Sequence, residues 1–137
     1  MLEAAGCSCT KIGCFDSFTV AFSKASTVWE PGSYVITVDA DGKKDSCTFD
    51  MPFVAGPACT SDLMALNLIP VSDPSNEIKG LESVVVFDAP LFVQVTVARD
   101  GVDLGMNLFL PSYSEDEPNG AMCGPTCHNA GSELSVR

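Results

Sequence analysis

Apolar and polar residues alternate along most of this chain with a period of two. The clearest stretch is Pro31 to Phe53, PGSYVITVDADGKKDSCTFDMPF. Tyr34, Ile36 and Val38 share one face of an outgoing strand. Cys47, Phe49, Met51 and Phe53 share one face of the return. Successive side chains of a strand point to opposite faces, so each set marks a face turned to a core. Asp41-Gly42 between them predicts a tight turn, because Gly tolerates positive φ and Asp can bond its own backbone. Pro31-Gly32 predicts the start of the hairpin. A register slip of one residue would turn the large apolar groups into water, so the pairing is firmly set.

The same period recurs on both sides of this hairpin. Phe18, Val20 and Phe22 line one face of a strand over 16–24. Residues 81–89 are rich in β-branched side chains, and Val93, Val95 and Val97 fall together over 91–99. Asp100-Gly101 predicts a second hairpin turn into 102–110. Residues 62–69 read as a further strand, although their Leu, Met and Ala content also permits a short helix. Residues 132–137 read as the last strand. Residues 25–30, 54–61, 70–80 and 111–130 read as loops, with Trp29 placed to close one end of the core.

Seven to eight short strands without a convincing helix predict an antiparallel, immunoglobulin-like β-sandwich. Jelly-roll and barrel connectivities stay open, because a strand count does not fix topology. With 137 residues the chain suits one domain over 14–137, preceded by a tether over 1–13. Eighteen acidic and seven basic residues give a net charge of −11. Such a surface repels phosphate backbones, so no nucleic-acid partner is expected. No apolar run approaches the length of a membrane-spanning helix.

Seven cysteines in a chain of this size point to an oxidising, extracytoplasmic compartment. Ala4-Ala5-Gly6-Cys7 is similar to the end of a bacterial lipoprotein signal, with Ala4 where Leu is usual. Cys7 is therefore the candidate lipidation site, and the residues before it are expected to be the remnant of an export signal. The other six cysteines suffice for three disulfides. Cys47 and Cys59 flank a strand end and a turn and can bridge. The first and last strands of immunoglobulin-like sandwiches can run side by side in parallel. That would bring Cys14 to Cys127 or Cys123 and leave the other for Cys9.

The rival chemistries are weaker. Cys7, Cys9, Cys123, Cys127 and His128 lack zinc-finger spacing. Cys123-Gly-Pro-Thr-Cys127-His128 has one residue too many for haem attachment. Around Gly42 a calcium loop would put Thr37 first and Thr48 twelfth, so its Asp and its bidentate Glu are both missing. No cofactor is expected. His128 is the only histidine, and no nucleophile elbow or phosphate-cradling loop is present, so no catalytic residues are assigned. The candidate binding loop is 111–130, carrying Tyr113, Glu115, Asp116 and Glu117. Long loops in compact domains commonly bind something.

Pro118-Asn119-Gly120, Cys123-Gly124-Pro125-Thr126-Cys127 and Ala130 together resemble the ending of uncharacterised predicted secreted lipoproteins of myxobacteria. Ile12-Gly13-Cys14 with Asp16, Pro31-Gly32-Ser33-Tyr34, Asp39-Ala40-Asp41-Gly42, Cys47-Thr48-Phe49 and Arg99-Asp100-Gly101 fit the same pattern. The resemblance implies an exported, disulfide-bonded domain, lipid-anchored to the cell envelope or secreted, and implies no activity. The Pro-Gly-x-Tyr turn is also similar to that of immunoglobulin-like and transthyretin-like accessory domains. The expected function is non-enzymatic binding or assembly with an envelope protein or surface component. The membrane would be met only through the lipid. The alternative is an extracellular metal-binding protein using its acidic loops or its Cys-rich tail.

Overall fold

The computed structural model describes residues 13–26, 28–52, 56–70, 78–120 and 123–137. In chain order the strands are β1 Ser17–Lys24, β2 Gly32–Ala40, β3 Lys43–Met51, β4 Ala58–Cys59 and β5 Met64–Pro70. They continue with β6 Ile78–Phe87, β7 Val93–Arg99, β8 Val102–Phe109, β9 Ser114–Asp116 and β10 Cys127–Val136. No helix occurs among the described residues. Two five-stranded sheets form, in the orders β5-β6-β1-β10-β9 and β4-β3-β2-β7-β8. Every pairing is antiparallel except that of β1 with β10, which run parallel from Ser17 beside Asn129 to Lys24 beside Val136. The protein is a disulfide-stapled β-sandwich whose first and last strands lie side by side.

The inner faces follow the alternation. Tyr34, Ile36, Val38, Val93, Val95 and Val97 from one sheet meet Phe18, Val20, Leu81, Val84 and Val86 from the other in one core cluster. The Phe18 and Phe109 rings touch across the two sheets, 5.6 Å between centroids. Tyr34 and Phe49 are direct cross-strand partners and stack at 5.3 Å. Such aromatic pairs strengthen a sheet beyond their buried area. Trp29 packs against Tyr34 at 5.9 Å, and the Tyr34 hydroxyl donates to the Glu30 carbonyl at 2.6 Å. Trp29 therefore covers this end of the core, as the sequence predicts.

Both Asp-Gly turns are two-residue hairpin loops. Asp41 and Gly42 have φ of 52° and 87°, and Asp100 and Gly101 have 51° and 82°. Positive φ at both central positions matches the right-handed twist of the flanking strands. Gly105 serves a different need. A Cβ there would lie 2.7 Å from the Ser135 carbonyl oxygen, so only Gly lets β8 approach β10. The Arg137 N–H donates to the Leu104 carbonyl at 2.9 Å beside it, joining the two sheets at that corner.

The described residues form ten strands, against the seven to eight expected. The two extra ones, β4 and β9, are two and three residues long and lie in segments the pattern reads as loops. Pieces so short carry no periodicity. The last strand begins at Cys127, not Ser132, because β1 on one side and β9 on the other pair with its backbone. Residues 64–70 are strand, without the helix their composition permits.

Cys14 bridges Cys127 and Cys47 bridges Cys59. Cys123 is disulfide-bonded as well. The expectations for Cys7 and Cys9 lie outside the described residues. Beside the second bridge, Asp45 is buried in β3 and accepts from the Thr60 hydroxyl, while Thr60 Oγ1 accepts from the Ser46 N–H at 3.1 Å. Burial pushes the Asp45 carboxyl up, but the Thr60 and Ser61 hydroxyls outweigh it and hold it below the usual carboxylate range. In the chain-entropy model, cross-linking residues 113 apart stabilises by about 4 to 5 kcal/mol, against about 3 for residues 12 apart. Replacing Cys14 and Cys127 by Ser is therefore expected to lower the unfolding free energy by about 4 to 5 kcal/mol in urea titrations. An unchanged midpoint would show that the bridge adds nothing.

Candidate functional site

The end of the sandwich at which β2 stops and β7 begins gathers most of the unusual chemistry. Its frame is the segment 88–92. Asp88 and Ala89 have φ of 69° and 47°, the left-handed region that non-glycine residues avoid at about 1 to 2 kcal/mol each. Pro90 follows directly. Asp41, on the first hairpin turn, holds the segment down. Its Oδ1 accepts from the Leu91 N–H and the Phe92 N–H, both at 3.0 Å, and the Asp41 N–H donates to the Phe92 carbonyl at 3.1 Å. Asp100 on the second turn does the same at the other end of the sheet, accepting from the Ser33 N–H at 2.9 Å.

With its backbone held by a carboxylate, the segment buries Pro90 and leaves Leu91 largely in solvent. Leu91 is 79% exposed and Phe92 37%. Phe15, 62% exposed, packs edge-on against Phe87 at 5.5 Å between centroids. Three carboxylates lie among these apolar groups. Asp16 Oδ1 accepts from the His128 backbone N–H at 2.7 Å and sits 3.3 Å from the His128 Nδ1. The Asp16 carbonyl also accepts from the Asp88 N–H. A cleft of 110 Å³ opens between Asp41, Lys43, Leu63, Phe87, Asp88 and Pro90. Sites that enclose a small molecule usually run to several hundred Å³, so the cleft suits one protruding group of a larger partner.

Tyr113 closes the rim by donating its hydroxyl to the Pro90 carbonyl at 2.6 Å. Burial pushes its phenol up, and the Asp41 and Asp16 carboxylates push it further, to about 12. Tyr113 is the member of the predicted binding loop that the structure brings to this site. Glu115 and Asp116 are exposed on β9, where Glu115 pairs with His128 and Asp116 with Cys127. The Glu117 Oε2 is shut off from solvent. The loop itself is shorter than the sequence suggests, because 114–116 within it and 127–130 at its end are strand. The sequence assigns no site role to Phe15, Asp16, Asp88, Leu91 or Phe92, and marks Asp41 only as a turn residue. The available signal was apolar residues set just beyond strand ends, beside Asp and Pro.

Among the described residues, no group of three or more His, Cys, Asp or Glu side chains could hold a metal ion. Five of the cysteines are disulfide-bonded and offer no thiolate. Searches of protein-family models, of curated proteins and of solved structures each find no match.

Two measurements test this account. Asp41→Asn is expected to speed hydrogen exchange at the Leu91 and Phe92 amides and to cost about 1 to 3 kcal/mol of stability, since charge-assisted bonds to both are weakened. Unchanged exchange would mean that the segment does not depend on Asp41. The second concerns the tyrosines, of which the chain has two. Burial raises Tyr34 also, against the opposing hydrogen bond and charge of Arg99. A raised folded-state pKa favours the neutral phenol, so this stabilisation is complete below about pH 10 and fades as pH climbs toward 12. Phenolate absorbance of the native protein is expected to stay flat through pH 10. A normal tyrosine titration there would contradict the burial and charge described for Tyr113.

Proposed function

We propose that the protein is a non-enzymatic domain exported to the cell envelope, lipid-anchored through Cys7. It binds an envelope protein or surface component through the end of the sandwich at Asp88–Phe92. One observation carries this reading. Exposed apolar side chains, Leu91, Phe92 and Phe15, stand among the carboxylates of Asp16, Asp41 and Asp88 on a strained, firmly held backbone segment. Strained residues concentrate where function over-determines them, and an exposed apolar group on a highly charged protein invites a partner. The preferred partner presents an apolar side chain flanked by cationic groups.

Intramolecular disulfides are in keeping with an oxidising, extracytoplasmic environment. The resemblance to myxobacterial lipoproteins supports the anchor. The non-enzymatic reading rests on His128, the only histidine, whose ring nitrogen bonds Asp16 and no nucleophile among the described residues. The metal-binding alternative has no comparable support, because the acidic and Cys-rich segments assemble no ligand set among the described residues.

Site-specific photo-cross-linking in envelopes tests the reading. A photoreactive side chain at Leu91 is expected to give discrete adducts, and one at Val28, exposed at the other end, to give none. Cys7→Ser is expected to release the protein from the membrane fraction. Matching adducts at both positions, or none at Leu91, would overturn the binding site, and unchanged fractionation would overturn the anchor.

A further inference from the structure

A sandwich of two open sheets has four edge strands, each a template for another chain unless it is blunted. Three are blunted here. β4 is only two residues long. β5 is broken by register shifts after Asn67 and Ile69 and ends in Pro70. β9 is three residues long and carries Glu115 and Asp116. The fourth, β8, has none of these protections over its second half. Gly105 to Leu110, GMNLFL, contains no charge and no proline. Met106 is 61% exposed, Leu108 55% and Leu110 78%. Pairing with Thr96 and Gln94 puts Met106 and Leu108 on the outer face of the sheet. The chain end meets this edge over its first half. The Arg137 N–H bonds the Leu104 carbonyl and its guanidinium bonds the Asp103 carbonyl.

We propose that the protein self-associates through β8, with Gly105–Phe109 pairing antiparallel to the same stretch of a second copy about a two-fold axis at Asn107. The sequence of the edge favours a copy of itself. Reading outward from Asn107, Met106 stands opposite Leu108 and Gly105 opposite Phe109. An isologous contact needs this kind of self-complementarity. The absence of charge matters equally. At a net charge of −11, self-association survives only where no like charges are brought opposite one another, and this stretch brings none. The pairing joins two five-stranded sheets into one of ten and covers the exposed Met106 and Leu108. Asn107 Oδ1 accepts from the Leu108 N–H at 2.9 Å, a local bond that a facing carbonyl can replace.

Sedimentation analysis of the disulfide-intact protein over a range of concentrations tests this. A reversible monomer–dimer equilibrium is expected, with slowed exchange of the Gly105–Phe109 amides in the dimer. Leu108→Lys sets a cation against the facing Met106 and is expected to weaken the dimer about tenfold or more with the circular dichroism unchanged. Asn107→Cys, on the axis, is expected to give a covalent dimer under mild oxidation, and Thr48→Cys on β3 is not. A monomer at every concentration overturns the proposal. So does a dimer that survives Leu108→Lys and fails to cross-link at position 107.

Discussion

The parallel pairing of β1 with β10 is the constraint on which the rest of the molecule depends. It joins residues more than a hundred positions apart, Ser17 beside Asn129, and β1 lies mid-sheet between β6 and β10. The sheet is incomplete until the end of the chain returns. Closing so long a loop costs conformational entropy before any contact rewards it. Cys14–Cys127 removes much of that cost by holding the leading ends of the two strands together in every state. The closing strand also reaches the other sheet, through the Arg137 N–H and the Leu104 carbonyl. At its start, His128 fixes Asp16, and Asp16 fixes Asp88. The candidate site thus inherits its geometry from the same long-range pairing.

The site can stay open because hydrogen bonds, and not packing alone, hold it. Two left-handed residues, Asp88 and Ala89, cost about 1 to 2 kcal/mol each. Hydrogen bonds to a charged group contribute about 1.5 to 3 kcal/mol each when shielded, and Asp41 accepts two from the adjacent backbone. The magnitudes are comparable even after a discount for solvent. Leu91 therefore need not bury its side chain to keep the backbone in place. A segment held only by apolar contacts would have had to turn that group inward.

The central strands were legible in the sequence because burial of one face writes itself as alternation. Tyr34, Ile36 and Val38, and Val93, Val95 and Val97, are all fully buried as the pattern requires. Asp41-Gly42 and Asp100-Gly101 were legible because few residues fit a turn with two positive φ angles. The short strands β4 and β9 were not, since pairing supplied by a neighbour leaves no period in the strand's own residues. The disulfide partners were half legible: the parallel first and last strands bring Cys14 to the tail, but only the register selects Cys127. The site was least legible. Its residues come from three hydrogen-bonded segments, 15–16, 41 and 88–92, and nothing local tells Asp41 the turn residue from Asp41 the clamp.

The proposed two-fold pairing through β8 and the proposed lipid on Cys7 would constrain each other. The axis is normal to the sheet, so the two copies point their Cys14 ends in opposite directions. Seven residue steps separate Cys7 from Cys14, a reach of at most about 25 Å. The nine residues of β2 span about 30 Å. The tether is thus shorter than the sandwich is long, and a dimer standing on end could anchor only one copy. Both lipids would insert only if the strands lie along the membrane surface, with the ten-stranded sheet flat against it. Each site then sits at a flank of the dimer, close to the headgroups. Asp16, Asp41 and Asp88 would disfavour an anionic lipid surface there, which would leave the exposed Leu91 and Phe15 to the proposed partner, approaching along the membrane plane.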